Sequence, residues 1–207
     1  MSSHSKRVFW GEFVFDVPEE VYEPAEDSFL LARNLKVSAG EQVLDMGAGC
    51  GILAVLAAER ASRVVAVDIN PHAVVCTRRN AEQNGVAAIV ETRLGDLFGA
   101  VGDDERFHLI LFNAPYLPVE QEEGGSWVEK AWAGGETGRA VIDRFIDQAP
   151  KHLEGNGRIL LVQSSLSNVE ETLRRFGQHK LQAAIVNEEK LDFEKIAIIK
   201  ARKAVSE

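Results

Sequence analysis

The run Asp45-Met46-Gly47-Ala48-Gly49-Cys50-Gly51 closes an apolar stretch and precedes Ile52, Leu53, Leu56 and Ala57, which recur at helical spacing. Glycines there let the backbone pass close to a ligand, and a helix starting just beyond points free N–H groups at it. The spacing is G-x-G-x-G, with Ile52 where a dinucleotide fingerprint has its last glycine, which weakens a hydride-transfer reading. Taken alone, the motif is also compatible with a tight strand-to-helix turn that binds nothing. Asp68-Ile69 follows about 20 residues later, at the end of the next apolar run, where a carboxylate can accept both hydroxyls of a ribose. Gly95-Asp96-Leu97 adds an acid suited to accept from the exocyclic amine of adenine. Asp45, Asp68 and Asp96 share these turns with no Lys or Arg. A pyrophosphate calls for a positive partner, whereas a sulfonium nucleoside carries no phosphate. The charge pattern therefore favours S-adenosylmethionine over a nicotinamide dinucleotide.

Asn113-Ala114-Pro115-Tyr116 carries the most chemistry. An Asn oxygen and an adjacent backbone carbonyl are two acceptors that can hold one planar NH2 group, with an aromatic ring to stack beside it. That suits methyl transfer to an amide, or to an amine attached to a ring. A polar turn with Tyr116 in the core would use the same residues. Tyr22-Glu23-Pro24-Ala25-Glu26-Asp27-Ser28 precedes an apolar stretch, so Glu26, Asp27 or Ser28 can cap a helix. The segment can also lie over the cofactor as a lid, with Tyr22 and Ser28 touching it. Cys50 has no activating base nearby in sequence and reads as a packing residue. The five histidines lack ligand spacing, read as surface or loop residues, and point to no metal site. Glu120, Glu122 and Glu123 read as a solvated loop, and residues 200–203 as a solubilising end.

These residues need a frame that aligns them. Residues 41–46, 63–67, 88–94, 107–112 and 158–162 read as strands, the last following a Gly155-Asn156-Gly157 turn. Helices are expected after Gly51, from Pro71 to an Asn84-Gly85 stop, over 137–150 and over 168–176. Asn70 is the expected cap of the second of these, with Pro71 in its first turn. Residues 181–186 and 195–200 read as a closing antiparallel pair. Alternating strands and helices imply an α/β, doubly wound, mostly parallel sheet, whose ligands sit beyond the carboxyl ends of the strands.

Composition narrows the rest. The 207 residues suit one compact domain, and 45% apolar with 27% charged residues is ordinary for a globular chain. No apolar run reaches the roughly 20 residues of a membrane helix, and the polar N-terminus is no signal peptide, so a cytoplasmic setting is expected. Two cysteines outside any CxxC pattern fit a reducing compartment. A net charge of −9 disfavours nucleic acid as a direct partner.

Taken together, Val21-Tyr22-Glu23-Pro24-Ala25-Glu26-Asp27-Ser28, Asp45-x-Gly47-x-Gly49-x-Gly51, Asp68-Ile69-Asn70-Pro71, Asn113-Ala114-Pro115-Tyr116 and Ala131-Trp132-Ala133-Gly134-Gly135 resemble the HemK-type class I methyltransferases. The pattern is most similar to the archaeal and eukaryotic branch, which methylates the glutamine of the GGQ motif in class 1 translation release factors. The 21 residues before Tyr22 favour this branch over the one with a helical N-terminal domain. The resemblance implies a Rossmann-like, seven-stranded fold, with residues 1–36 as lead and cofactor lid and 37–203 as the methyltransferase domain. It implies S-adenosylmethionine as cofactor, with Tyr22 in the lid and Ser28, Asp45 and Gly47 at the methionine portion. Gly49 and Gly51 complete the turn, Asp68 and Ile69 serve the ribose side, and Asp96 and Leu97 flank the adenine. Asn113, counted also among the cofactor contacts, and the carbonyl of Ala114 orient the substrate amide, with Pro115 and Tyr116 shaping the slot. The family has proline where this chain has Ala114, which keeps the carbonyl and loses rigidity. A small zinc-ribbon activator covering an apolar sheet edge near residues 86–90 is also implied. Methylation of adenine or another amino group in nucleic acid, methylation of protein lysine, and a non-catalytic cofactor-binding subunit are the competing readings.

Overall fold

A computed structural model describes residues 5–119 and 125–203. Glu120, Glu122 and Glu123 lie outside the described residues. The chain opens with the antiparallel hairpin β1 (Ser5–Trp10) and β2 (Phe13–Pro18), then runs through α1 (Glu26–Asn34), β3 (Gln42–Met46), α2 (Ile52–Ala58) and β4 (Arg63–Asp68). It continues with α3 (Pro71–Gln83), β5 (Val90–Leu94), β6 (Phe107–Asn113), α4 (Trp127–Trp132) and α5 (Ala140–Gln148). β7 (Leu153–Ser164), α6 (Val169–Gln178), β8 (Leu181–Lys190) and β9 (Lys195–Lys203) complete it.

The seven-stranded sheet has the order β5-β4-β3-β6-β7-β9-β8, and only β9 runs against its neighbours. This is the class I methyltransferase architecture, α/β with a closing antiparallel pair. From β3 the chain steps outward to β4 and β5, then returns to β6 on the other side. Right-handed crossovers then force α2 and α3 onto one face and α5 onto the other. Accordingly α2 touches both α1 and α3, and α5 touches α6. Val43, Leu44, Val64, Val65, Leu109, Ile110 and Leu111 are fully buried, as strands covered on both faces require. Among the described residues, no helix is long and apolar enough to cross a membrane.

The sequence reading missed the hairpin, because what holds β2 is polar. Asn80 of α3 and Asn84 at its C-cap present side-chain amides to its backbone: Asp16 and Val14 N–H groups donate to Asn80 Oδ1 and Asn84 Oδ1 at 3.0 Å each. In return, Asn80 Nδ2 donates to the Asp16 carbonyl (3.1 Å) and Asn84 Nδ2 to the Val14 carbonyl (2.8 Å). Two amides thus imitate a neighbouring strand. Asn80 Nδ2 also donates to the Cys50 carbonyl (2.8 Å), tying the hairpin to the glycine turn. The Gly155-Asn156-Gly157 run is a bulge inside β7 rather than a turn before it, since pairing passes from Phe107–Leu153 to Leu109–Arg158. Before Gly135 the chain forms α4, which the sequence reading did not anticipate, capped by Ser126 and Glu129 in a reciprocal box. Residues 200–203 belong to β9, and Lys203 Nζ donates to the Leu153 carbonyl (2.7 Å). His152 is buried and stacks on Phe98 with ring centroids 4.8 Å apart, so it is a core residue.

Replacing Asn80 by alanine strands backbone groups of β2 and the Cys50 carbonyl. It should cost about 2–3 kcal/mol in urea unfolding and speed exchange of the Asp16 amide hydrogen.

Candidate active site

Met46 pairs with Val67 on one side and with Phe112 on the other, so β3, β4 and β6 end in step. The residues that follow meet at one crevice of about 1330 Å³. Its lining includes Tyr22 and Ser28 from the lid, Gly47 and Gly49 from the turn, Asp68, Ile69, Asp96 and Leu97, and Asn113 to Tyr116. Trp127, Lys130 and Trp132, around α4, line it as well. The crevice therefore has room for a second ligand beside a nucleoside.

In the turn, the Gly47 and Ala48 N–H groups donate to the Val67 carbonyl (2.8 and 3.1 Å), and Gly51 stands at the N-terminus of α2. Gly49 has φ +58°, and a Cβ built on it meets nothing within 4 Å, so the loop leaves open space beside Asp68. Asp68 takes the Gly49 N–H on Oδ2 (2.9 Å) and the Asn70 N–H on Oδ1 (2.8 Å). Burial raises its carboxyl above the usual range, and those two donors pull it back. Asn70 caps α3 by accepting from the His72 N–H (2.9 Å). Ile69 stands 52% exposed on the rim, an apolar surface that a flat ring can cover. Leu97 has φ +47°, the left-handed region that costs a leucine roughly 1–2 kcal/mol.

Three findings differ from the sequence reading, the first being that Gly51 is not among the residues that line the crevice. Asp45 is fully buried behind the turn and is not among the lining residues. Neither of its oxygens has a hydrogen-bond partner among the described residues. Burial, reinforced by the charge of Asp68, pushes its carboxyl up to about 8. The rim is also less acidic than its turns suggest, because α5 delivers Arg144, whose Nη2 donates to Asp96 Oδ2 (2.5 Å). Nothing in the local sequence around Asp96 announces that partner, which lies 48 residues away. Cys50 is buried with its thiol pushed up by burial, so it is held as a neutral thiol.

The Asn113 turn is braced from behind. Leu117 N–H donates to the Trp132 carbonyl and Gly134 N–H to the Leu117 carbonyl, both at 2.9 Å. Gly138, at φ +71°, lies so close to Tyr116 that a Cβ would come within 2.2 Å of its carbonyl oxygen. Arg139 is 7% exposed and donates to the Ser167 and Asn168 carbonyls (2.7 Å each), Thr172 Oγ1 (3.0 Å) and Asp143 (2.6 Å). Within this frame Asn113 Nδ2 donates to Ser28 Oγ (3.1 Å), while Asn113 Oδ1 is buried with no hydrogen-bond partner among the described residues. Tyr116 and Tyr22 send their hydroxyls to Asp27, at 3.0 and 3.5 Å. Sequence reading had Asp27 only as a candidate cap.

Residues 24–129 match the family described as the methyltransferase small domain. MJ0928 of Methanocaldococcus jannaschii, which carries the name "Putative protein N5-glutamine methyltransferase", is 39% identical over 88% of this chain and 91% of its own. Methyltransferase HEMK2 of Mus musculus is 39% identical over 79% of this chain and 80% of its own. Among solved structures, a chain of the E. cuniculi Mtq2–Trm112 complex, described as responsible for methylation of the eRF1 translation termination factor, matches with a TM-score of 0.71. It is 25% identical and covers 89% of this chain and 99% of that one.

The buried Asp45 carboxyl links folding to pH. An aspartate in the unfolded chain titrates near 3.9, so between about pH 4 and about 8 the folded state holds a proton that the unfolded state has lost. Stability from this group is full at the acid end and declines as pH rises. Asp45→Asn should therefore raise Tm above the parent's at pH 8, with the difference closing toward pH 4, in thermal scans of the cofactor-free chain.

Proposed function

This chain belongs to the methyltransferase small domain family, in its HemK branch, and from that premise we propose that it methylates the side-chain amide of a glutamine, in the GGQ motif of a class 1 translation release factor. The enzyme uses S-adenosylmethionine. The site residues fit that cofactor: the glycine turn leaves space a side chain would fill, and Asp68 stands beside it at the sequence spacing of a ribose-binding acid. Tyr22, Ser28, Gly47, Gly49, Asp68, Ile69, Asp96 and Leu97 would hold it, and Asp45 would act from behind the turn. When bound, it supplies a methyl carbon activated by its sulfonium.

The observation that carries the reading is the buried, unpartnered Oδ1 of Asn113 at the rim of a crevice larger than a nucleoside needs. An amide nitrogen is a poor nucleophile because its lone pair is delocalised. Asn113 Oδ1 and the Ala114 carbonyl would accept its two N–H hydrogens, hold the nitrogen in one orientation, and stabilise the positive charge that develops there. Pro115 and Tyr116 wall the slot, and Trp127 and Trp132 supply apolar surface that excludes water around it. Pro115 alone stiffens the turn here, with Ala114 in place of the family's proline.

A small zinc-ribbon subunit on the free edge of β5 completes the proposal. Among the described residues β5 pairs only with β4, and Leu94 at its end is 59% exposed. Val86, Ile89 and Val90 pack partly against the core, so the exposed apolar surface offered to the subunit centres on Leu94. The Mtq2 relative is solved as a complex with Trm112.

Asn113→Ala should lower methyl transfer to a release factor about 10²–10³-fold while calorimetry finds cofactor affinity little changed. Mass spectrometry should place the methyl group on the glutamine. Transfer instead to tRNA, DNA or a lysine would replace this reading. Leu94→Lys should weaken capture of a co-expressed zinc-ribbon subunit about tenfold or more without touching cofactor binding.

A further inference from the structure

The role given to Asn113 depends on which way its amide points, and the structure contains a chain of groups that decides this. Asp27 is 6% exposed, lies in the first turn of α1 and lines the crevice. A carboxylate is favoured at that end of a helix. Its partners are amide and hydroxyl donors rather than cations. Oδ1 takes the Ser28 N–H (2.6 Å) and the Ser28 hydroxyl (3.2 Å), with Tyr22 farther off, and Oδ2 takes Tyr116 (3.0 Å). Burial first and the charge of Asp27 next push both phenols up, so they stay protonated and remain donors.

A carboxylate only accepts, and a serine hydroxyl has one hydrogen to give. Ser28 gives it to Asp27, so toward Asn113 it can only accept. The group that reaches it is Nδ2, and Oδ1 is left for the substrate. A half-turn of the amide would set two acceptors against each other at Ser28 and present NH2 in the slot. That arrangement leaves both ends wrongly paired.

We propose that Asp27 is a positioning residue which, through the Ser28 hydroxyl, locks the Asn113 amide oxygen toward the substrate, so that the slot admits an NH2 group and rejects the carboxylate of glutamate. This rests on Asn113 being the acceptor for the substrate amide. The negative charge of Asp27 in the crevice wall acts in the same direction, against a second carboxylate.

Two substitutions separate direction from charge. Asp27→Ala removes the oxygen that holds Ser28. Asp27→Asn discards the charge but keeps an oxygen for Ser28, with its NH2 turned to the Tyr116 oxygen. With release factor as substrate and cofactor at saturation, Asp27→Ala should lower kcat about 10²-fold and Asp27→Asn less than about tenfold. A factor carrying glutamate in place of the glutamine should inhibit Asp27→Ala and leave the parent unaffected. Parent-level kcat in Asp27→Ala, or an equal loss in both variants, would overturn the proposal. A second readout needs no substrate: water exchange of the Asn113 side-chain amide, followed by NMR on the chain alone, should accelerate about tenfold or more in Asp27→Ala. Ser28→Ala provides the same readout if that variant does not fold. Unchanged exchange overturns the positioning role even if glutamine is methylated. Accelerated exchange without glutamine methylation overturns only the substrate assignment.

Discussion

Parallel strands that end in register deliver their trailing residues to one line, and this chain depends on that constraint at β3. Met46 is matched to Val67 and to Phe112, so the glycine turn, Asp68 and Asn113 leave the sheet at the same level. A slip of one residue in either ladder would turn Asp68 or Asn113 to the opposite face. The fully buried Val, Leu and Ile residues of β3, β4 and β6 resist such a slip, because they fill the space on both sides. Packing in the sheet thereby sets the distance between the cofactor half of the crevice and its substrate half.

What could be read from the sequence follows from what is local. Glycine turns, valine-rich strands and the Asn70–Pro71 cap carry their structure in adjacent residues, and the mostly parallel sheet followed from the alternation of strands with helices. The hairpin was invisible because its clamp consists of Asn80 and Asn84, two polar residues on a helix with nothing in their spacing to indicate a strand beside them. Arg144 meets Asp96 only through the packing of α5, so a charge pattern counted turn by turn overstated the acidity of the rim. Asp27 looked like any first-turn acid until the fold brought Tyr116 to it across 89 residues. Asp45 shows the same limit, since sequence placed it at the right strand end and could not say that its side chain turns inward.

Buried charge is handled in two ways in this molecule. Arg139 is surrounded by carbonyl, hydroxyl and carboxylate oxygens, an arrangement that ties α5 to the turn before α6 and performs no chemistry. Asp27 is surrounded by hydroxyl and amide hydrogens, with no cation among its partners in the described residues. The first is a joint between elements. The second sets the electrostatic character of the slot. Both cost desolvation, and only the second places that cost where a substrate would meet it.

Behind the slot, Gly134 and Gly138 cross so closely that main chain lies directly on main chain, and the Tyr116 carbonyl is part of that crossing. Such a junction contains no rotamers to hop and no methyl groups to repack. Warming, or a loosened side chain elsewhere in the interior, has little there to act upon. The ring of Tyr116 should keep its place until the whole crossing comes apart as a unit.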